Sequence, residues 1–170
     1  MNDLLSLQKL FNETIFRIPD YQRGYSWSNQ QLEEFWSDLT SLLPFQEHYT
    51  GMISLKKLEP NSIINSVDKW NEEKWLVNSG FTVYEIVDGQ QRLTTLIILI
   101  NEIVSYCKEK NIEELNSTLL SEIVDKYLYK TKPNNIIRTY KFGYEEDNPS
   151  YQYFRHVILG EPNNGTIEET

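Results

Sequence analysis

Cysteine and histidine are scarce in this chain of 170 residues, and their scarcity excludes several kinds of protein. The single cysteine, Cys107, cannot form an intramolecular disulfide, and its position on an apolar helical stripe predicts core packing rather than reactivity. A chain without disulfides suits a reducing cytoplasm, where we expect this protein to reside. The two histidines, His48 and His156, show neither metal-ligand nor nuclease spacing.

Long apolar runs are absent as well. The apolar run over residues 93–104 is too short and too interrupted to span a bilayer. The first three residues carry no basic charge, so the start of the chain does not resemble a signal peptide. We therefore expect no membrane partner.

Basic residues are a minority, because 16 lysines and arginines face 25 acidic residues and the formal net charge is −9. Proteins that grip duplex phosphates usually show a basic face, so the overall charge argues against a main DNA-binding role. One stretch without acidic residues holds Lys126, Lys130, Lys132, Arg138 and Lys141, interleaved with tyrosines. The last four are candidate DNA-binding residues. The alternative, a solvated surface, is favoured because charge runs are usually exposed.

The hydrophobic pattern predicts one α+β domain over residues 1–170, with a small mixed sheet packed with helices. A content of 39% hydrophobic and 13% aromatic residues is typical of a globular chain. Helices are predicted over residues 4–10, 28–43, 119–129 and 151–159 and after residue 89, and strands over 14–18, 49–58, 74–77 and 81–87. The last two strands are predicted to pair as a hairpin, residues 59–72 and 130–139 to be loops, and residues 111–170 to form a mainly helical C-terminal portion.

The most informative segment covers residues 87–96. A β-branched and aromatic stretch before it predicts a strand, and the segment after it predicts a central helix that is apolar on most of its circumference. Asp88, Gly89, Gln90, Gln91 and Arg92 therefore lie where a strand leads into a helix N-terminus, which favours anions. Gly89 lets a ligand approach the backbone, and Arg92 can grip phosphate. The alternative is an Asp88 N-cap, a Gly89 turn and a solvated Arg92.

A second polar and aromatic cluster lies in residues 18–27, directly after the first predicted strand. It contains Tyr21, Gln22, Arg23, Tyr25 and Trp27. Large rings in a loop either plug the edge of the core or form a platform for a planar ligand, and this segment alone slightly favours the first.

Together the two segments resemble the N-terminal domain of the GmrSD family. The first motif reads Ile-Pro-x-Tyr-Gln-Arg-x-Tyr-x-Trp over residues 18–27, and the second reads Asp-Gly-Gln-Gln-Arg-Leu-Thr-Thr over residues 88–95. Both are complete, and the resemblance covers roughly residues 5–110. The family includes modification-dependent restriction systems and anti-phage effectors such as SspE, and its fold is similar to the ParB and sulfiredoxin superfamily.

The resemblance implies nucleotide chemistry. In the family the Asp-Gly-Gln-Gln-Arg motif is associated with NTP binding and hydrolysis, which regulates a nuclease farther along the polypeptide or in a partner subunit. We therefore expect an NTP-hydrolysing regulatory domain of a restriction or anti-phage defence system. The implied cofactors are Mg²⁺ and a nucleoside triphosphate whose base is unknown, and we expect the chain to be a fragment of a longer protein or a compact relative.

Roles for individual residues follow as hypotheses. The expected catalytic residues are Asp88, Gln90, Gln91 and Arg92. Asp88 would bind Mg²⁺ or orient water, and a glutamine would position water for attack on the terminal phosphate. The expected nucleotide-binding residues are Tyr21, Gln22, Arg23, Tyr25, Gly89, Arg92, Thr94 and Thr95.

Two other classes of function stay open. The first is a DNA-binding module that senses modified bases without turnover. The second is an interaction domain whose polar motifs only lock two loops together. The sequence also leaves the oligomeric state open.

Overall fold

A four-stranded mixed sheet carries the fold in the computed structural model, which describes residues 4–133 and 138–162. The strands are β1 Thr14–Ile18, β2 Ser54–Lys57, β3 Thr82–Asp88, β4 Glu114–Leu115, β5 Thr118–Leu119, β6 Tyr129–Thr131, β7 Arg138–Tyr140 and β8 Phe142–Tyr144. The helices are α1 Leu7–Leu10, α2 Asn29–Thr40, α3 Pro60–Ile64, α4 Lys74–Asn78, α5 Gln90–Glu109 and α6 Leu120–Ile123, with π-helical segments at Val124–Leu128 and Tyr153–Ile158. The predicted α+β class is confirmed.

Three of the four sheet strands are parallel. The strand order is β2-β3-β1-β8; β1 pairs in parallel with β3 and β8, and β2 pairs with β3 in the antiparallel sense. Parallel strands end at the same edge of a sheet, so the segments that follow β1, β3 and β8 meet there. Both sequence motifs come directly after such a strand.

The long helix α5 supplies the centre of the main core, as its apolar sequence predicted. Leu93 and Ile97 are at most 1% exposed and belong to one buried cluster with Phe16 and Ile86 of the sheet. Cys107 lies in the same cluster and is 3% exposed, which confirms its predicted packing role.

A second apolar cluster packs against the alternate residues of the strands. Ile15 and Val83, on β1 and β3, contact Ile63, Leu76 and Val77 of α3 and α4. Because neighbouring residues of a strand point to opposite faces, the sheet is covered on both sides.

The predicted hairpin over residues 74–87 is wrong. Residues 74–78 form α4, which ends at a left-handed Gly80 with φ +100°. The N–H of Gly80 bonds to the carbonyl of Val77, and the N–H of Phe81 bonds to that of Leu76. This is a glycine-terminated helix end, so the glycine closes a helix instead of turning a hairpin.

Two predicted loops also contain regular structure. Residues 59–72 include α3, whose first residue Pro60 suits the N1 position of a helix. Residues 130–139 contribute to β6 and β7, which pair as an antiparallel ladder, and residues 134–137 lie outside the described part of the chain. Strand β8 was not predicted. Across the described ranges, no helix combines the length and apolarity needed to cross a membrane.

A buried ion pair ties the sheet to α4. The Nε and Nη2 atoms of Arg17 lie 3.0 and 2.6 Å from Oε1 of Glu73, the residue preceding α4. The same guanidinium donates to the carbonyls of Phe16 and Tyr140, each at 2.8 Å. Arg17 thereby joins β1, β7 and α4 through one desolvated group.

Replacement of Glu73 by glutamine should destabilise the fold by about 3 kcal/mol, because it leaves the buried Arg17 charge uncompensated. Urea unfolding would measure the change. The matched control is Lys56→Gln in the pair Lys56–Glu85, where the lysine side chain is 62% exposed and a loss below about 1 kcal/mol is expected. Equal losses for both variants would contradict a structural role for the buried pair.

Candidate functional site

The turn between β3 and α5 is built around one glycine. Strand β3 ends at Asp88, α5 begins at Gln90, and Gly89 between them has φ +88°. A Cβ atom at Gly89 would lie 3.0 Å from the carbonyl oxygen of Met52 and 3.1 Å from a side-chain carbon of Ile53. The backbone conformation and the close neighbours therefore both favour glycine at this point.

The two glutamines of the motif hold the loop that follows β1, residues 19–28, which we call the β1 loop. Nε2 of Gln90 donates to the carbonyl of Arg23 at 3.1 Å. Nε2 of Gln91 donates to the carbonyl of Gly24 at 3.1 Å, and its Oε1 accepts from the backbone N–H of Ser26 at 2.9 Å. The structure thus brings together the two motifs that the sequence places more than 60 residues apart.

Side chains of the β1 loop return contacts to the other motif. Nε2 of Gln22 donates to the carbonyl of Val87 at 3.1 Å, and the hydroxyl oxygens of Tyr25 and Thr95 lie 2.8 Å apart. Tyr25 is therefore partly committed to a structural contact, whereas Tyr21 is 68% exposed at the loop surface.

The buried residue Asn148 fastens the β1 loop from a third side. Its Nδ2 donates to the carbonyls of Pro19 and Gln22 at 2.8 and 3.0 Å. Asn148 follows β8, so all three parallel strands contribute to this edge of the sheet. The sequence analysis missed Asn148, and no local pattern marks it, because its contacts lie more than 120 residues away in the chain.

A cavity of about 220 Å³ lies between the two motifs. It is lined by Gln22, Arg23, Trp27, Val87, Asp88, Gly89, Gln90, Gln91 and Arg92. Pockets for whole drug-sized ligands usually measure roughly 300–1,000 Å³, so this volume suits part of a nucleotide, such as its phosphates.

The two threonines of the motif lie deeper than expected for ligand-binding residues. Thr94 is 1% exposed and donates to the carbonyl of Gln90, while Thr95 is 8% exposed and donates to that of Gln91. Neither lines the cavity. Their contacts stabilise the first turns of α5, which is a supporting position for the site.

The side chain of Gln90 has a buried acceptor atom without a hydrogen bond among the described residues. The residue is 8% exposed, and its Oε1 has no hydrogen-bond partner among the described residues. An unsatisfied buried polar atom costs about 1–3 kcal/mol, so this oxygen favours a water molecule or another donor beside it.

Arg92 reaches across the cavity rim to residues 51–52. Its Nη1 lies 3.3 Å from the carbonyl oxygen of Met52. A Cβ at Gly51 would lie 2.8 Å from the guanidinium carbon, so Gly51 leaves the space that the arginine occupies. Gly51 is a second residue that the sequence analysis did not assign to the site.

Asp88 is an exposed carboxylate at the same rim. Its Oδ1 accepts from the backbone N–H of Gly89 at 2.7 Å. The described ranges contain no group of three or more histidine, cysteine or acidic residues that could hold a metal ion. A magnesium ion at Asp88 would therefore take its other ligands from water and phosphate oxygens, which is common for Mg²⁺.

One of the four candidate DNA-binding residues is buried. Lys141 is 2% exposed, and its amine lies 2.5 Å from the carbonyl oxygen of Phe11. Burial lowers the pKa of Lys141 to about 8. In this structure Lys141 therefore lies outside any surface patch, contrary to the expectation from the charge run.

The other three candidates lie on or beside the β6–β7 ladder. Lys130 pairs with Asp125 at 3.0 Å, and the Arg138 guanidinium lies 4.8 Å from the ring centroid of Tyr129. Lys132 is partly exposed just after β6. The ladder therefore keeps a small basic surface that lacks Lys141, and the charge of Lys130 in it is balanced by Asp125.

The whole domain matches a known family. The model of the family described as GmrSD restriction endonuclease, N-terminal domain, matches residues 4–165. The chain belongs to this family. The GmrSD domain is thus part of a GmrSD-type restriction endonuclease system and implies an associated nuclease domain. A comparison with curated proteins found no match.

Replacement of Gln91 by leucine should release the β1 loop, because it removes two hydrogen bonds to residues 24 and 26. We expect a stability loss of about 1–2 kcal/mol. Amide hydrogen exchange should accelerate in residues 22–28 more than elsewhere in the domain.

The control for this experiment is Gln30→Leu, which removes only an exposed contact to Glu34 on α2. It should leave exchange in the β1 loop unchanged. Unaltered exchange in the Gln91 variant would contradict the role of the glutamine as a clamp.

Proposed function

We propose that this GmrSD domain binds a nucleoside triphosphate with Mg²⁺ at the N-terminus of α5 and hydrolyses it to regulate the associated nuclease domain. The observation that carries the proposal is the convergence of both motifs on one cavity with an arginine from each, Arg23 and Arg92. An anion between two cations and a helix N-terminus is electrostatically favoured.

The backbone at this turn supports phosphate binding. The N–H groups of Gln90, Gln91 and Arg92 lie in the first turn of a helix of 20 residues, where they lack intrahelical acceptors. The N–H of Gly89 is already engaged by Asp88. The N–H groups available for phosphate are therefore those of Gln90, Gln91 and Arg92, and not that of Gly89.

The position of the Asp88 carboxylate is the reason for including a divalent cation in the proposal. A carboxylate at the rim repels phosphate oxygens unless a cation lies between them. Mg²⁺ would remove that repulsion and would supply charge stabilisation to the transferring phosphoryl group. Asp88 would hold the ion with one oxygen while its Oδ1 stays bonded to Gly89.

The two glutamines differ in what they can contribute. Both ends of the Gln91 amide are bonded to the β1 loop, so its role is to position that loop. Gln90 holds the loop with Nε2, and its buried Oε1 has no hydrogen-bond partner among the described residues. Of the two glutamines, Gln90 is therefore better suited to accept a hydrogen bond from the attacking water and so to orient it.

The base would lie outside the small cavity, beside the β1 loop. Tyr21 is the more exposed of the two tyrosines, since the hydroxyl of Tyr25 is bonded to Thr95. We assign stacking on the base to Tyr21 on these grounds.

A thermal-shift titration with ATP, GTP, CTP and UTP plus Mg²⁺ tests the proposal. A ligand that binds only the folded state stabilises it, by about 2.7 kcal/mol at 100 times its Kd. One or more nucleotides should raise Tm in the unaltered protein, and Arg92→Ala should abolish the shift. Lys110→Ala, at the far end of α5, is the matched control and should keep the shift.

Measuring the nucleotide hydrolysis rate together with nucleotide affinity distinguishes a metal-binding role of Asp88 from a structural role. Asp88→Asn should lower the hydrolysis rate by more than it lowers nucleotide affinity, because the amide keeps the contact to Gly89 but binds Mg²⁺ poorly. Equal loss of both would indicate a structural role for Asp88. If the folded domain shows no shift with any nucleotide, the proposal fails and DNA recognition or loop locking takes its place.

A further inference from the structure

A second cavity, of about 280 Å³, lies beside the edge strand β8, between residues 69–73 and the π-helical segment Tyr153–Ile158. It shares no lining residue with the candidate nucleotide site. The proposed nucleotide binding does not involve this cavity. The residues that line it therefore indicate which kind of ligand it could bind.

The cationic side chains that line this cavity are already paired with other groups of the protein. Arg17 uses its guanidinium on Glu73 and on two backbone carbonyls. Arg155 is bonded to Glu72 at 2.6 Å and also to Glu161 and Tyr151. The third cation, Lys69, pairs with Asp147 at the surface. An anionic ligand would find no unpaired cation among these three.

Carboxylates, by contrast, outnumber the cations in the lining of this cavity. Four carboxylates line the cavity, namely those of Glu72, Glu73, Glu145 and Glu146, against the three cations. The half-buried Glu145 side chain has no hydrogen-bond donor or ion-pair partner among the described residues. Burial raises the pKa of Glu145 and the neighbouring Glu85 raises it further, while Lys69 and Arg17 lower it in part. A ligand that brings positive charge would favour the charged carboxylate and so offset the two raising effects.

Six aromatic residues are among those that line the cavity. They are Trp70, Tyr140, Phe142, Tyr144, Tyr151 and Phe154. Arg155 shows how a cation fits here, because its guanidinium carbon lies 5.6 and 5.5 Å from the ring centroids of Tyr140 and Tyr151. Aromatic faces attract cations most strongly when water is excluded.

One of the lining residues also has a buried polar atom without a partner. Tyr140 is 6% exposed, and its buried hydroxyl makes no hydrogen bond to a described residue. Such a group is expected to gain from a ligand or water that completes its hydrogen bonding.

We propose that this cavity binds a small organic cation, an amine or guanidinium on an apolar arm, with Glu145 as its counter-ion and the aromatic lining residues around the arm. The inference is independent of the proposed nucleotide site. The occupant would be either a free polyamine-like molecule or the side chain of a basic residue from another segment, and the recognised chemistry is the same.

Gly143 offers a variant that blocks the cavity without disturbing the fold. It lies in β8 and lines the cavity, and a Cβ atom built on it meets no heavy atom within 4 Å. Gly143→Leu should therefore fill the space, whereas Gly143→Ala should leave most of it open. Glu145→Gln removes the counter-ion from a side chain without a described bonding partner, so it should also fold.

Isothermal titration of the whole domain with defined probes tests the proposal, after circular dichroism has shown that each variant is folded. The probes are agmatine, N-acetylarginine amide, cytidine and inorganic phosphate. Agmatine should bind the unaltered protein and Gly143→Ala with similar affinity. Glu145→Gln should bind it at least about tenfold more weakly, and Gly143→Leu should not bind it measurably.

The probes also separate the sources of the cation. Binding of N-acetylarginine amide as well as agmatine would support a basic side chain as the occupant, and binding of agmatine alone would support a free amine. Preference for cytidine would overturn the proposal that the ligand is a cation and would indicate a neutral base instead. Preference for phosphate, binding that survives in Gly143→Leu, or no binding of any probe would overturn the proposed site.

Discussion

Side-chain amides join the two motifs at one edge of the sheet, and two of them belong to Gln90 and Gln91 at the start of α5. Both glutamines are bonded to the backbone of the β1 loop, and the cavity lies between the segments that they join. The contact depends in turn on the sheet, because parallel β1, β3 and β8 deliver their following segments to one edge. The buried face of α5 keeps the helix N-terminus fixed at that edge. The proposed ligand site would therefore be preorganised before a ligand binds.

The structure shows the structural task of the motif, in which the two glutamine side chains are bonded to the β1 loop. Under the proposed function, the chemical task would fall to atoms that these bonds do not use: Oε1 of Gln90, the carboxylate of Asp88 and the guanidinium of Arg92. This division links the two interpretations of the motif that the sequence left open. The residues that join the two loops are the same residues that the proposal assigns to the ligand, so a ligand bound at the turn would respond to any movement of the β1 loop.

Local signals in the sequence were sufficient for the central strand, the glycine turn and α5, because each is encoded by a contiguous pattern of about ten or twenty residues. The short apolar run over residues 74–77 was misread as a strand, since four residues cannot distinguish a period of 2 from one of 3.6. Burial of Lys141 and the role of Asn148 depend on partners more than 120 residues away, Phe11 and Pro19, and no local pattern reports such contacts. The family resemblance, and not spacing, was the basis for assigning residues of both motifs to one nucleotide site, and the structure shows that the two motifs are in contact.

The central claim is that the Asp-Gly-Gln-Gln-Arg turn is where a triphosphate lies. A crystal structure of the domain with Mg²⁺ and a non-hydrolysable nucleoside triphosphate tests it most directly. The account predicts phosphate oxygens within hydrogen-bonding distance of the backbone N–H groups of Gln90 and Gln91 and of the Arg92 guanidinium, with the metal between them and Asp88. A nucleotide bound elsewhere on the domain, with this turn empty and the glutamine clamp intact, would contradict it.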